Sequence, residues 1–401
     1  MKISNVTFKG LFNRLDYNLH FHGDEINILT GPNGYGKTII LKSINAIINA
    51  DLDFFEQVDF NEFSIDFNNV SIFIHKSVNL YIQVSSIYGY ENIIYERNLE
   101  LDTIKYKESI SDMEIKWSEM KGVSESRKKA EFTLLKHMDD LSVLFIRDQR
   151  IKVGAGASNE IMLTKLASDL RSKIRSCILQ SNSIGQRLDA SFPRRLLELE
   201  YNANVSMIEE KLNGLKKIRK EYIDYGLLDD IDNLNINLGE FNYVTRRNNS
   251  NVLELYINDS LEKYKPFWDL TKKIKLFISL LNRKGLAFKY VSVNKEFGFA
   301  FFDNDNDLIA LDKLSSGEQN QIIMLYNLIF LTNEDTIVLV DEPEISLHIA
   351  WQKEVYQNLE EILKINEIPH IVMATHSPSV INGNWDKSID LYELANQNGV
   401  F

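Results

Sequence analysis

Four short segments carry side chains whose types and spacing suit phosphate chemistry. The first is Gly31-Pro32-Asn33-Gly34-Tyr35-Gly36-Lys37-Thr38, which fits the pattern GxxxxGK[ST]. Glycines at these positions let the backbone turn so that successive N–H groups point at phosphate oxygens, and the N-terminus of a following helix adds its dipole. Gly31, Asn33, Gly34, Gly36, Lys37 and Thr38 are the candidate phosphate contacts. Lys37 would supply a point charge to the β- and γ-phosphates, and Thr38 a hydroxyl to Mg²⁺. The second segment is the apolar run Ile337–Val340, which ends in Asp341-Glu342. Asp341 would orient a Mg²⁺ shell and Glu342 would polarise an attacking water. Taken alone, an apolar strand ending in two acids is an ordinary strand end; it gains meaning beside the phosphate loop.

The third segment, Leu314-Ser315-Ser316-Gly317-Glu318-Gln319, precedes the apolar run Ile322–Leu331. Ser315 suits an N-cap, and Glu318 three residues later completes a capping box. The same helix start, formed by Ser315, Ser316, Gly317 and Glu318, is also a candidate anion site. The fourth is Ala374-Thr375-His376-Ser377-Pro378. A lone histidine is usually structural, but His376 follows a short apolar strand, and ligands of open parallel sheets bind at the carboxyl ends of strands.

These segments need a sheet and helices to position them. Val6 and Phe8, then Tyr17, Leu19 and Phe21, alternate with polar neighbours as strands do. Ile26–Leu29 is a short strand entering the glycine-rich turn, and Ile39–Ile48 is an apolar helix. Phe63–Phe67, Val70–His75 and Leu80–Val84 also read as strands, within a stretch of strands and turns over 51–120, and Leu141–Ile146 reads as a further strand running into the charged Arg147–Arg150. The small-residue run VGAGASNE that follows marks a boundary. From about residue 160 to 283 apolar residues recur at three and four, as in Ile161, Leu163, Leu166, Leu170 and Ile174. This predicts a helical arm or subdomain, punctuated by Pro193 and Pro266, whose heptads are too broken for a long coiled coil. Residues 284–312 return to strands around Asp303-Asn304-Asp305-Asn306-Asp307. That acidic run fails as a calcium loop, because Leu308 and Leu314 stand where the glycine and closing glutamate belong, so a hairpin turn is expected. Ile337–Val340 and His370–Ala374 have the continuous apolar character of parallel-sheet strands. The expected organisation is α/β: residues 1–155 with the phosphate loop, a helical insertion over 156–283, and 284–401 with the remaining motifs.

Composition narrows the function classes. The 401 residues are 44% hydrophobic and 25% charged, ordinary globular values. Net charge is −12, whereas a chain that wraps nucleic acid is more often basic. The basic clusters Arg127–Lys129, Lys216–Lys220, Arg246-Arg247 and Lys272–Lys275 read first as solvated helix faces and second as phosphate-backbone contacts. Cys177 is the one cysteine, which excludes a disulfide framework within the chain and suits a reducing cytoplasm. The N-terminal MKISNVTFKG lacks the apolar run of a signal peptide, and no stretch approaches the roughly 20 apolar residues of a membrane span. The expectation is a cytoplasmic protein with no membrane partner.

The four motifs in this order, as GPNGYGKT, LSSGEQNQ, VDEPEISLH and ATHSP, resemble the ABC-type ATPases of the SMC and RecF class. Most similar is the bacterial group that includes overcoming-lysogenisation-defect nucleases and the ATPase subunits of phage-defence systems such as Septu and PARIS. The segment LDASFPRRLL over Leu188–Leu197 is also similar to defence ATPases. Transporter ATPases have Ala-Leu-Asp where this chain has Ser346-Leu347-His348, and glycine where it has Ser316. The resemblance implies an ABC-type head, with a parallel phosphate-loop core sheet, antiparallel strands and an inserted helical arm. It implies two copies sandwiching two ATPs with Mg²⁺, head to tail. Each site would take the phosphate loop and acid pair of one copy and the Ser315–Glu318 signature of the other. His376 would meet the γ-phosphate, Gln149 is the candidate glutamine at the metal, and Phe12 the candidate aromatic against adenine.

Three readings of what the ATP serves stay open. One is a regulatory ATPase scaffold, dimeric or larger, that controls a separate effector such as a nuclease in bacterial defence. The related nucleases carry a metal-dependent domain after the ATPase, whereas few residues follow His376 here, so the effector is expected on another chain. The second is a repair ATPase that clamps DNA, against which the acidic balance weighs. The third is a nucleotide-gated interaction module with little hydrolysis, against which Glu342 and His376 weigh.

Overall fold

Continuous apolar runs and alternating runs end up in different sheets. The computed structural model describes residues 1–23, 25–86, 89–95, 125–147, 159–198, 205–230, 249–283, 286, 288–346 and 349–397. The first elements are β1 (Ile3–Leu11), β2 (Leu15–His20), β3 (Ile26–Thr30), α1 (Lys37–Ile48), α2 (Leu52–Gln57), β4 (Glu62–Phe67), β5 (Val70–Lys76), β6 (Leu80–Ser86) and β7 (Gly89–Tyr95). Then come α3 (Glu125–Met138), β8 (Ser142–Ile146), α4 (Asn159–Leu197), α5 (Val205–Asp224), α6 (Ser250–Tyr264) and α7 (Trp268–Asn282). The chain continues through β9 (Lys289–Asn294), β10 (Gly298–Asp303), β11 (Leu308–Ile309), α8 (Ser316–Phe330), β12 (Thr336–Asp341), α9 (Ile349–Gln352) and α10 (Val355–Asn366). It ends with β13 (His370–Ala374), α11 (Pro378–Ile381), β14 (Ser388–Asp390) and α12 (Leu391–Gln397).

Two compact units divide the chain: Met1–Ala157 together with Met324–Phe401, and Ser158–Ile323. The first unit holds a six-stranded antiparallel sheet in the order β2-β1-β4-β5-β6-β7 and a five-stranded sheet in the order β14-β3-β13-β12-β8. All pairs of the five-stranded sheet are parallel. In the antiparallel sheet burial alternates, as along β2 and β4, because one face is covered. In the parallel sheet every residue of β3, β12 and β13 is buried, as strands covered on both faces require. One apolar cluster joins the covered face of the antiparallel sheet (Phe8, Tyr17, Phe63, Ile72) to α1 (Ile40, Leu41, Ile44), α2, α3 and the inner side chains of β12 and β13. The expected α/β architecture, with a parallel phosphate-loop sheet, antiparallel strands and a largely helical insertion, is what the molecule has.

Several local readings need correction. Residues 52–57 form a helix in a stretch read as strands and turns, since a short helix capped by Asp51 leaves too few turns for its period to register, and the helix Glu125–Met138 was given no reading in the sequence. Strand β14, three residues long, was not foreseen. Pro193 does not interrupt the helical region: α4 runs through it. Side chains bond the carbonyls of the preceding turn, with Ser191 Oγ donating to Arg187 O at 3.0 Å and Arg195 Nη2 to Leu188 O at 2.8 Å. Pro266 does punctuate, in a 3-10 turn between α6 and α7. The sequence reading divided the chain at 283/284, whereas the units divide at 323/324. Within the second unit the strands of β9–β11 pack on α4 and α7 and so belong with the helices. Gly298 is where β10 meets α4: it has φ +79°, and a Cβ there would lie 1.9 Å from Ala167 O. The 303–307 run is the expected hairpin turn, with Asp303 Oδ1 accepting from the Asp305 and Asp307 amides at 3.0 and 2.9 Å.

Candidate nucleotide site

The register of the parallel sheet brings three motifs to one edge. Asp341 at the end of β12 pairs with Ala374 at the end of β13, and Ala374 pairs with Leu29 near the end of β3. The phosphate loop, the acid pair and the histidine loop therefore leave the carboxyl ends of adjacent strands, where open parallel sheets place their ligands. The turn between β3 and α1 needs its glycines. Gly31, Gly34 and Gly36 have φ of +134°, +88° and +87°, and a Cβ on Gly36 would lie 2.9 Å from Leu11 Cδ2. Gly36 is the N-cap of α1, no side chain caps that helix, and no acid sits in its first turn. Asn33 and Gly34 are exposed. Lys37 is buried, with Nζ donating to Gly31 O at 2.7 Å and Pro32 O at 3.2 Å, so the ammonium is folded back onto its own loop. Tyr17 Oη steadies the loop from β2 by donating to Tyr35 O at 2.9 Å.

Thr38 Oγ1 donates to Asp341 Oδ1 at 3.1 Å, joining two motifs 303 residues apart. Glu342 has φ +46°, a backbone conformation that a non-glycine residue adopts at a cost of about 1–3 kcal/mol, and its amide donates to Ala374 O at 2.9 Å. Its carboxylate is about one-fifth exposed and lies 3.6 Å from His376 Nδ1, on a half-exposed ring. Closer still is Glu344, to which sequence reasoning gave no role. Its Oε1 lies 3.2 Å from His376 Nδ1 and accepts from Thr375 Oγ1 at 2.7 Å and from the His376 amide at 3.1 Å. A third acid on the turn Pro343–Ser346 was the available signal, though nothing in the pattern distinguishes a buried acid from a solvated one.

The signature residues lie in the second unit and form the predicted capping box: Glu318 N donates to Ser315 Oγ at 3.3 Å and Ser315 N to Glu318 Oε2 at 2.7 Å. Ser315 and Ser316 are exposed, and the Ser316 and Gly317 amides have no partner among the described residues. Lys289, also missed in the sequence, places Nζ 2.8 and 3.0 Å from the two Glu318 oxygens. Burial pushes the Glu318 carboxyl up, but Lys289 and the two Ser315 donors outweigh it and hold the carboxyl below its ordinary value. Phe12, in the β1–β2 turn with φ +54°, is 39% exposed, and its ring edge lies 3.8 Å from where a Gly36 Cβ would stand. Gln149, the candidate metal-site glutamine, falls outside the described residues.

Three members of the basic clusters meet acids of the chain itself: Arg127 pairs with Asp53 and Glu131, Lys272 with Asp269 and Lys275 with Glu221. Arg246 and Arg247 lie outside the described residues. Among the described residues no cluster of three or more His, Cys, Asp and Glu could hold a metal, and no helix is long and apolar enough to cross a membrane.

Comparison with known proteins agrees with this geometry. A family model described as "AAA domain, putative AbiEii toxin, Type IV TA system" matches residues 26–382, from β3 through α11. The chain belongs to this family. That match takes in the phosphate loop, the signature, the acid pair and His376, so all four motifs lie inside the family's domain. No curated protein matches the chain. Among solved structures, the crystal structure of the SMC head bound to the C-winged helix domain of ScpA is similar over 97% of this chain and 94% of that one. The identity is 10% and the TM-score 0.38, a distant likeness.

Proposed function

We propose that the chain binds ATP with Mg²⁺ at the phosphate loop and hydrolyses it in an ABC-type site completed by the Ser315–Glu318 segment of a second copy. The observation that carries this is the bond from Thr38 to Asp341, which unites the hydroxyl and the carboxylate that a nucleotide-bound metal requires. Two hard oxygen donors at the N-terminus of an uncapped helix fit Mg²⁺, which when bound neutralises charge on the β- and γ-phosphates. The amides of the glycine loop and of the first turn of α1 take the phosphate oxygens, with Gly31, Asn33, Gly34 and Gly36 shaping the cradle. Lys37 Nζ leaves the carbonyls of Gly31 and Pro32 for the β- and γ-phosphates. Phe12 lies against adenine. Glu342 takes a proton from the attacking water, and His376 contacts the γ-phosphate. The second copy brings the Ser316 and Gly317 amides and the Ser315 hydroxyl to that phosphate from the far side, the head-to-tail arrangement that the resemblance to ABC-type ATPases implies. Two inactive variants test the sharing of the site: Lys37→Ala in one copy and Ser315→Arg in the other. Mixed, they leave one complete site per dimer, so ATP turnover returns in the mixture to a substantial fraction of wild type. Turnover that stays absent on mixing, or a Ser315→Arg protein as active as wild type, means that the site is not shared.

The ATP cycle serves, in this reading, as the regulatory scaffold of a bacterial defence system whose effector, such as a nuclease, is a separate protein. The family's description with a toxin of a type IV toxin–antitoxin system favours a multi-component role. The repair alternative, a clamp on DNA, is less favoured by a net charge of −12 and by the pairing of Arg127 and Lys275 with acids. A pull-down of the tagged chain from its host, with mass spectrometry, separates them. An effector in fixed ratio supports the scaffold, and DNA or recombination proteins without one support the clamp.

A further inference from the structure

Glu344 is a carboxylate that stability alone does not explain. Its side chain is 6% exposed. Oε1 is crowded by three donors, the Thr375 hydroxyl at 2.7 Å, the His376 amide at 3.1 Å and His376 Nδ1 at 3.2 Å. Oε2 is buried and has no hydrogen-bond partner among the described residues. A buried carboxylate with an unmatched oxygen destabilises a fold. What it gains is control of the loop after β13. The turn that holds Glu344 and the loop that holds His376 are tied a second time through Gln352, whose Nε2 donates to Glu344 O at 3.1 Å and whose Oε1 accepts from Ser377 Oγ at 3.3 Å. The Ser377 amide in turn donates to Thr375 Oγ1 at 3.0 Å.

We infer that Glu344 is a positioning residue for hydrolysis: it fixes the ring of His376 through Nδ1 and so presents Nε2 to the reacting phosphate. The inference rests on the ATPase reading only for the use to which Nε2 is put. A neutral imidazole carries one N–H, and a carboxylate oxygen facing Nδ1 places that hydrogen on Nδ1. The opposite nitrogen is then the one that meets the substrate, and the half-exposed ring leaves it accessible. Glu342 also faces Nδ1, at 3.6 Å against 3.2 Å for Glu344. The nearer acid holds the ring and leaves Glu342 free for the attacking water.

Full-length protein with histidine labelled in nitrogen-15, studied at mildly alkaline pH, tests the geometry without any turnover, and a His376→Ala sample identifies the signals of that ring. In wild type His376 Nδ1 is expected to read as the protonated nitrogen, and in Glu344→Gln the hydrogen is expected to move towards Nε2. A bare Nδ1 in the wild-type protein overturns the inference whether or not the variant folds. Turnover is the second arm. Glu344→Gln is expected to lower kcat about tenfold or more with KM within about twofold, and to add no further loss in a His376→Ala background, because residues acting as one unit are non-additive. Losses that multiply, or a change confined to KM, overturn the positioning role. A wild-type protein that shows the expected ring signals and yet turns over no ATP would sink the ATPase reading and leave Glu344 in place.

Discussion

Two helices in this protein begin at glycine- or serine-rich turns, and they handle their N-termini in opposite ways. Helix α1 has a glycine N-cap, no capping side chain and no acid in its first turn, so its amides await an incoming anion. Helix α8 has closed on itself: Ser315 and Glu318 exchange hydrogen bonds, and Lys289 neutralises the carboxylate that did so. The first end suits a primary anion site, because no side chain caps it and no acid stands in its first turn. The second is stable without a ligand and offers only what the capping box leaves over, the Ser316 and Gly317 amides beside exposed serines. In the proposed function this is the surface that touches an anion already held by another copy. A weak donor set suits a contact that has to form and break in each cycle.

The sharpest way to break this contrast is at Lys37. Lys37→Ala removes the one cationic side chain of the loop and is expected to weaken ATP binding by at least about a hundredfold, read by calorimetric titration. Undiminished binding would mean that α1 is not the primary site. Next is Glu342→Gln, which should lower kcat about 10²–10⁴-fold while binding persists, and should hold an ATP-bound dimer together on light-scattering chromatography. A monomer at saturating ATP would argue against a second copy at α8. The smallest effect is expected at the closed end. Lys289→Met should lower stability by about 1–3 kcal/mol at neutral pH, read as a shifted urea midpoint. The carboxyl of Glu318 is held below its ordinary value, so its contribution is present above the unfolded pKa and lost as pH falls through the lowered one. The gap between wild type and Lys289→Met should therefore close in acid, as pH falls below the ordinary carboxyl range. A gap that stays constant would show that Lys289 acts by packing and not by charge.

The phosphate loop, the acid pair and the capping box were legible because each is a local pattern set by short-range chemistry: glycine at positive φ, an apolar run ending in charge, a serine three residues before a glutamate. The central parallel strands β3, β12 and β13 were legible because burial on both faces leaves few polar positions in them. What escaped depends on distance in sequence. Lys289 reaches Glu318 across 29 residues, and Glu344 meets His376 across 32. No periodicity records such meetings. Pro193 misled for the converse reason, since the helix of Asn159–Leu197 runs through it although the ring removes the amide that would bond the carbonyl of Asp189.

The strand order carries a consequence for how the protein is made. β3, which delivers the phosphate loop, lies between β13 and β14, both encoded in the last part of the chain. While the ribosome is still working through the middle, this strand has two open edges and its glycine turn has no sheet to lean on. Chains released early would then expose an apolar strand with unpaired amides, the kind of species that aggregates or engages chaperones. The turn that carries Gly31–Lys37 is thus among the last features to gain its neighbouring strands during synthesis.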